Sequence, residues 1–370
     1  MVSRRKQSLG SKRYNPLEIG YRAIISSLDA LHKNDYIIQI IGSHNEGTMT
    51  TMEPTDKLME WFEDAGWSDD GVDKRIGSYV TLRETRKNHN NAVYIDFKDT
   101  KYSKWLGERI KQYDQLLNSC KIELWYDNGI LDREFKKFTV QRKFIKYQSS
   151  FDNMEFSFGG RMPGPWVNIP SKDRENITIN GEATVELDRD ASHLNAMYQV
   201  ITGSPYPGND DPYNISVDEV GVPRHIAKNF SSFMQGSKST KGVAHSVINH
   251  YKRKATEVKT PKDSDIKKYE EYVEFKKNIK PTDIANAILD KHPKVANYYN
   301  NGKSYGDFIG CWESDIVFEV VMELTKRGIP CLTVYDSFIV PLQYEELVNS
   351  IKDTMPYVDR RGLDKELFKK

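Results

Sequence analysis

The stretch PCLTVYDSFIVPL, residues 330–342, decides how this chain reads. It has the pattern of one apolar strand with a single acid, Asp336, in its middle. A carboxylate inside such a strand is costly unless something pairs with it. A partner is therefore expected elsewhere in the chain. A second stretch, EATVELDRDASHLNAMYQVITG, reads as a strand over 183–187 running into a helix from about Ser192, with Asp188 where the strand ends. Taken alone, Asp188 reads as a turn or cap residue. Taken with Asp336, the two acids can meet on neighbouring strands of one sheet. Their repulsion then calls for a cation between them. Magnesium suits the role, being a hard ion that takes carboxylate and phosphate oxygens. Two such ions can activate an attacking oxygen and stabilise a leaving one in phosphoryl transfer.

Composition leaves such a site room. The 370 residues suffice for two or three modules and at least one sizeable core. Fifty-four basic against 53 acidic residues give near-neutrality, but the charge is uneven. Residues 1–13, MVSRRKQSLGSKR, carry five basic residues and no acid, and HYKRKATEVKTPK is also basic. Such runs are either solvated faces or patches for a nucleic-acid backbone. Three cysteines, Cys120, Cys311 and Cys331, form no CxxC pair and point to a reducing compartment. His245 and His250 are five apart, off one helical face, so a structural zinc site is not expected. The N-terminus lacks the apolar stretch of a signal peptide, and no segment approaches the roughly 18 apolar residues of a membrane span. The expectation is a cytoplasmic protein with no membrane partner.

Along the chain, 1–13 reads as a basic flexible arm. Residues 14–68 read as helix, two-stranded hairpin and helix, the order of a winged-helix-like module, with Thr55 a good N-cap for the second helix. SDDGVDKRIGS reads as a linker. Residues 69–150 mix strands (SYVTLR, NAVYIDF) with a helix around SKWLGERIKQYDQLLNSC. REFKKFTVQRKFIKYQ within them reads as a strand with a solvated basic face, or as a surface for a nucleic-acid backbone. From 151 to 355 the acid-bearing strands dominate, with a helical insertion at about 205–305 and a tail over 356–370. KYEEYVEFKKNIKPTDIANAILDKHPKVANYY within the insertion reads as two helices split by Pro281. RHIAKNFSSFMQGSK reads as a helix with Arg224 and Lys228 four apart on one face, where they can meet phosphates as a fork and a point charge. WESDIVFEVVMEL is a helix with Ile316, Val320 and Leu324 on its buried face. Glu313 at its start reads as exposed or capping.

Four segments in this order carry a resemblance. GGRMPGPWVNIPSKDR looks like the opening of the polymerase domain of family A DNA polymerases. The acid strand at Asp188, the Arg224–Lys228 helix and VYDSF then resemble motifs A, B and C of that family. The phage single-subunit RNA polymerases share this palm, and their motif C is close to Tyr335-Asp336-Ser337. The resemblance covers residues 158–345 and does not extend to the first 150. It implies an α+β fold: a polymerase-like palm with an antiparallel sheet and helical fingers, here preceded by the winged-helix-like module. It implies Asp188 and Asp336 as the catalytic, metal-binding pair for two Mg2+ ions. Lys228 and Arg224 would contact nucleotide phosphates, Arg161 the primer end, and Asn168 would lie near the template. His193, five residues after Asp188, stands where the family discriminates the sugar. Motif B departs from the pattern, with Gln235 in place of the aromatic and Phe233 the nearest ring.

The expected function is template-directed, magnesium-dependent addition of nucleotides to a 3′-OH. The partners would be a DNA (or RNA) template and primer and nucleoside triphosphates. An RNA polymerase or primase on the same palm is the close alternative. A non-catalytic DNA-binding replication initiator or regulator is the alternative of another class.

Overall fold

The structure is a computed structural model that describes residues 13–15, 17–42, 50–66, 78–85, 93–147, 155–237, 239–258, 261–299 and 305–362. Two compact units divide the chain. One joins Met1–Asn118 to Lys136–Phe156, the other Ser119–Phe135 to Ser157–Lys370. Nearly all of the basic arm, and all of the SDDGVDKRIGS linker but its last residue, lie outside the described residues.

The first unit opens with α1 (Tyr21–Lys33), β1 (Ile37–Ile40), β2 (Thr51–Pro54) and α2 (Asp56–Asp64), the predicted order of helix, two strands and helix. β1 and β2 pair antiparallel, Ile37 opposite Pro54. Thr55 occupies the N-cap position of α2 but makes no side-chain cap. Its hydroxyl turns instead to the carbonyls of Asp35 and Tyr36, tying the helix to the end of α1. Next come β3 (Val80–Thr85), β4 (Val93–Tyr94) and α3 (Lys101–Asn118). β5 (Ile122–Trp125) and β6 (Leu131–Glu134) belong to the other unit, and β7 (Arg142–Tyr147) returns to this one. β7 lies parallel to β3, Val80 opposite Arg142, an arrangement that needs the long crossover through α3. Asp114 of α3 accepts from the backbone N–H of Val140 at 2.6 Å and so pins the approach to β7. The basic strand predicted over REFKKFTVQRKFIKYQ is broken into β6 and β7. Arg142 is 1% exposed, so this part of the basic run is packed rather than solvated.

The second unit takes the β5–β6 hairpin out of the predicted 69–150 segment and builds it into its own sheet. After β8 (Gly159–Arg161) and the short α4 (Ser171–Arg174) come β9 (Ile177–Ile179), β10 (Glu182–Leu187) and α5 (Ser192–Thr202). A small hairpin, β11 (Ser216–Val217) and β12 (Val220–Gly221), leads to the helices α6 (Arg224–Gly236), α7 (Thr240–Lys252), α8 (Asp263–Asn278) and α9 (Pro281–Lys291). Pro281 is the first residue of α9, where its missing N–H costs nothing. The chain then forms α10 (Tyr305–Lys326), β13 (Leu332–Val334), β14 (Ser337–Pro341) and α11 (Glu345–Lys352).

The six strands of the main sheet form one ladder, with β10 between β14 and β9. The full order is β13-β14-β10-β9-β5-β6, and every pairing is antiparallel. The β9–β10 turn is Asn180-Gly181, both at positive φ (55° and 80°), the conformation that a two-residue hairpin needs and that Asn-Gly adopts readily. All of β13 and β14 is buried, as expected of strands covered on both faces. Thr333 of β13 is held at both polar groups: its hydroxyl donates to the Met162 carbonyl at 2.8 Å, and its carbonyl accepts from the Trp166 indole at 3.0 Å. α10 runs beside α5 and α6. Ile316, Val320 and Leu324 are fully buried, as their spacing predicts. Residues of the expected tail return to this helix. Arg360 forks onto Glu319 at 2.7 and 2.9 Å, and Arg361 reaches Asp315 and Cys311.

Phe318, in the middle of α10, is 1% exposed. Phe318→Ala is expected to destabilise the second unit by about 3–5 kcal/mol through lost burial and an uncollapsed cavity. Urea unfolding would check this, and a loss under about 1 kcal/mol would mean that α10 is not a core helix.

Candidate active site

The 330–342 stretch is a hairpin, not one strand. β13 and β14 pair with Val334 opposite Ser337, so Tyr335 and Asp336 are its two-residue turn. Asp336 thus escapes the cost of a strand interior by sitting at the strand end, half-buried. The turn is not built from easy residues. Tyr335 adopts φ +57°, a conformation that Asn-Gly reaches cheaply and a tyrosine does not. Such strain is retained where the surroundings hold it in place.

Antiparallel pairing of β10 with β14 sets Leu187 opposite Phe338. One step further along the register Asp188 faces Ser337, and the Ser337 hydroxyl donates to Asp188 Oδ1. Asp188 is exposed and, among the described residues, its Oδ2 has no hydrogen-bond partner, while Asp336 lies one residue before Ser337. The two predicted acids therefore sit at adjacent strand ends on one edge of the sheet. Burial pushes the Asp336 carboxyl up, and the negative charges of Glu313 and Asp188 push it the same way.

Glu313 organises the rest. The sequence suggested an exposed or capping residue, but it is 2% exposed. Its Oε1 lies 3.4 Å from His193 Nε2 and its Oε2 accepts from Arg161 Nη2 at 3.3 Å. Burial alone would raise its pKa; His193, Arg161 and the Ser192 hydroxyl overcome this and lower it. Burial likewise opposes charge on His193, but the Glu313 carboxylate outweighs it and holds the imidazole above its usual range. The Arg161 guanidinium lies 4.8 Å from the Tyr335 ring centroid, a cation–π contact at the hairpin turn. Four predicted residues, Asp188, Asp336, His193 and Arg161, are thus gathered around a glutamate that connects two of them.

The remaining predicted residues fall elsewhere. Arg224 and Lys228 project from one exposed face of α6, as their spacing requires. Arg224 pairs with Asp211 and lies 5.4 Å from the Tyr213 ring centroid. Tyr213 is 4% exposed, and burial pushes its phenol far up, with Arg224 working against this and the charges of Asp211, Glu313 and Asp336 adding to it. Phe233 does not face the acids. It packs half-buried against His250 of α7, ring centroids 5.6 Å apart. Gln235, in the place of the expected aromatic, is buried and bonds to Tyr299, whose hydroxyl shares a 2.9 Å hydrogen bond with Ser231. Asn168 lines a separate cleft of about 330 Å³ with Trp125, Tyr126 and Arg133, which none of the acids at the strand ends enters.

Glu313, Tyr213 and Ser337 escaped the sequence reading as site residues. Glu313 carried the same signal as Asp336, an acid in an apolar run (CWESDIVF), but a helix offers an exposed face that a strand interior does not. Ser337 was read only as part of the motif C resemblance, and Tyr213 carried no signal.

Among the described residues no three His, Cys, Asp or Glu side chains form a metal-binding group. The donor set nonetheless fits magnesium, which is held by one or two carboxylates with phosphates and water completing its shell. Among the described residues Asp188 has one oxygen without a hydrogen-bond partner, and a cation beside Asp336 would offset the burial and the neighbouring charges that push its carboxyl up. No protein-family model matches the chain, and no curated protein or solved structure matches it either.

A histidine raised in the folded state stabilises the fold below its unfolded pKa, and that contribution is lost as pH rises through the raised value. A glutamate lowered in the folded state stabilises above its unfolded pKa and loses this as pH falls through the lowered value. The Glu313–His193 pair is therefore stabilising between the lowered Glu313 pKa and the raised His193 pKa. In Glu313→Gln the burial of His193 remains and the opposing charge is gone, so its pKa should fall below the wild-type value. NMR titration of the imidazole measures this; an unchanged His193 pKa would show that Glu313 does not set its charge.

Proposed function

We propose that the chain is a template-directed nucleotidyltransferase that adds nucleotides to a 3′-OH, with deoxynucleotides as its substrates. The observation that carries the reading is the convergence of Asp188 and Asp336 at adjacent ends of antiparallel strands, with Ser337 orienting one of them. The order of the segments resembling family A polymerases adds to it. The all-antiparallel sheet and the helical layer of α6 to α9 are what a palm with fingers requires, though many α+β proteins share such parts.

In this reading the 3′-hydroxyl gives up its proton to water, its oxygen bonds to the α-phosphorus, and the bond from the α-phosphorus to the bridging oxygen of the β-phosphate breaks, releasing pyrophosphate. Asp188 and Asp336 would hold two magnesium ions, which when bound supply Lewis-acid stabilisation of the attacking and leaving oxygens. The Ser337 hydroxyl keeps one Asp188 oxygen engaged and leaves the other to turn outward. Lys228 and Arg224, four residues apart on α6, offset charge on the departing pyrophosphate. Arg224 must exchange Asp211 for phosphate to do so, a modest cost for an exposed pair. Glu313 fixes Arg161 toward the primer end and His193 beside the sugar, and the bulk of His193 disfavours a 2′-OH. Arg161 in turn braces Tyr335, and with it the turn that carries Asp336. Three features then limit slack around the reacting atoms: a buried glutamate, a braced turn and the buried strands β13 and β14 behind them.

Asp188→Asn and Asp336→Asn should each reduce magnesium-dependent incorporation on a primed template to background, with the fold retained by circular dichroism. Absence of incorporation by the unaltered protein on primed and unprimed DNA and RNA would sink the reading. His193→Ala should narrow the preference for deoxy- over ribonucleotides by about tenfold or more, the scale of losing one steric contact. Competition between the two nucleotide types measures that ratio, and an unchanged ratio removes His193 from sugar selection. Sequence-specific duplex binding without incorporation would favour a regulator instead.

A further inference from the structure

The basic run REFKKFTVQRKFIKYQ, which reads as a solvated face or as a surface for a nucleic-acid backbone, enters β7 of the first unit. Its Lys143 stands opposite Thr81 of β3, and Arg83 of β3 stands opposite Tyr94 of β4. Opposed residues, and residues two apart on one strand, share a face of a sheet. Thr81, Arg83, Tyr94 and Lys143 therefore stand on one face. Leu82 and Phe144, opposite each other and fully buried, stand on the other.

Lys143 and Arg83 are both half-buried. Burial works against the Lys143 ammonium, and the Arg83 charge works against it further. Among the described residues no acid pairs with either cation, and Arg83 Nε is buried without a hydrogen-bond partner. Thr81 is 1% exposed, and its hydroxyl is likewise buried without a partner. Two like charges held together away from water, beside unused donors, are costly unless an anion joins them. The guanidinium is also braced. Its carbon lies 5.6 Å from the Tyr94 ring centroid, and Tyr94 packs against Tyr14 with centroids 5.0 Å apart. The Tyr14 hydroxyl is itself fixed, accepting from the Leu82 backbone N–H at 2.9 Å.

We propose that this face of β3 and β7 is an anion site that takes a phosphate group. Arg83 supplies a planar fork, Lys143 a point charge, and the Thr81 hydroxyl a third donor on the same face. One arginine fork satisfies a carboxylate; a tetrahedral phosphate has oxygens for all three groups. The phosphate belongs either to a nucleic-acid backbone or to a free phosphorylated molecule, since both present the same oxygens. Entry asks only that two long side chains turn onto the oxyanion, a common change on binding. The site lies in the first unit and stands whether or not Asp188 and Asp336 hold magnesium.

Titration of the full chain with inorganic phosphate, and separately with a homothymidine oligonucleotide, tests this in chelator at an ionic strength held constant with chloride. The readout is the NMR signal of the Arg83 Nε–H, assigned by its loss in Arg83→Lys. At least one ligand should shift it saturably, and Lys143→Gln should weaken that response about tenfold, the scale of one charge-assisted contact. A shift with the oligonucleotide, at phosphate-group concentrations where inorganic phosphate gives none, identifies a nucleic-acid backbone as the source. A shift with inorganic phosphate alone identifies a free phosphorylated ligand. A signal unmoved by both, or an undiminished response in Lys143→Gln, overturns the proposal. Melting in phosphate-free chloride gives a second check. Lys143→Met keeps the apolar stem and removes one of two repelling cations, so its Tm should equal or exceed that of the unaltered chain. A lower Tm, or failure of Lys143→Met to fold, would show that the ammonium already has a fixed mate, and the site would be withdrawn.

Discussion

The antiparallel pairing of β10 with β14 is the constraint on which the site depends. Because side chains alternate strictly along a strand, Leu187 opposite Phe338 leaves no freedom at the next position, and Asp188 must face Ser337. A one-residue slip would turn Asp188 to the other face and expose the buried side of β14. The hydrophobic register of the core thus fixes the position of the first acid. The β13–β14 hairpin fixes the second in the same way, since Val334 opposite Ser337 leaves only Tyr335 and Asp336 to make the turn.

Concentrating carboxylates in this way sets the electrostatic problem that the surrounding residues address. Asp336 resists ionisation through burial and through the charges of Glu313 and Asp188. Glu313 in turn is held ionised by His193 and Arg161. His193 and Arg161 therefore sit beside Glu313, and among the described residues no positive group pairs directly with Asp188.

Much of the fold was legible because local signals agreed with tertiary need. Ile316, Val320 and Leu324 gave α10 its buried face, and Pro281 marked the start of α9. The misreadings occurred where those signals and tertiary need part. Tyr335-Asp336 turns the chain with no glycine, asparagine or proline to announce it, so a hairpin looked like one strand. Thr55 had the right identity for a cap, but two backbone carbonyls compete for its hydroxyl. The β5–β6 hairpin joins a sheet whose other strands lie well beyond it in the chain, and no local pattern encodes that.

The sequence alone determined which residues are anomalous: acids where apolar strands run or end, and cations one helical turn apart. Desolvation makes such placements expensive, so they read as purposeful without any structure. Only the tertiary structure decided which anomalies belong together. It brought Asp188 and Asp336 to one edge of the sheet, set Phe233 and Asn168 apart, and turned Glu313 inward to join His193 of α5 to Arg161 of β8. The physical reason is that pairing between distant strands and packing between distant helices depend on the whole core. A charge in the chain carries the cost of its burial locally, but its partner is chosen by the fold.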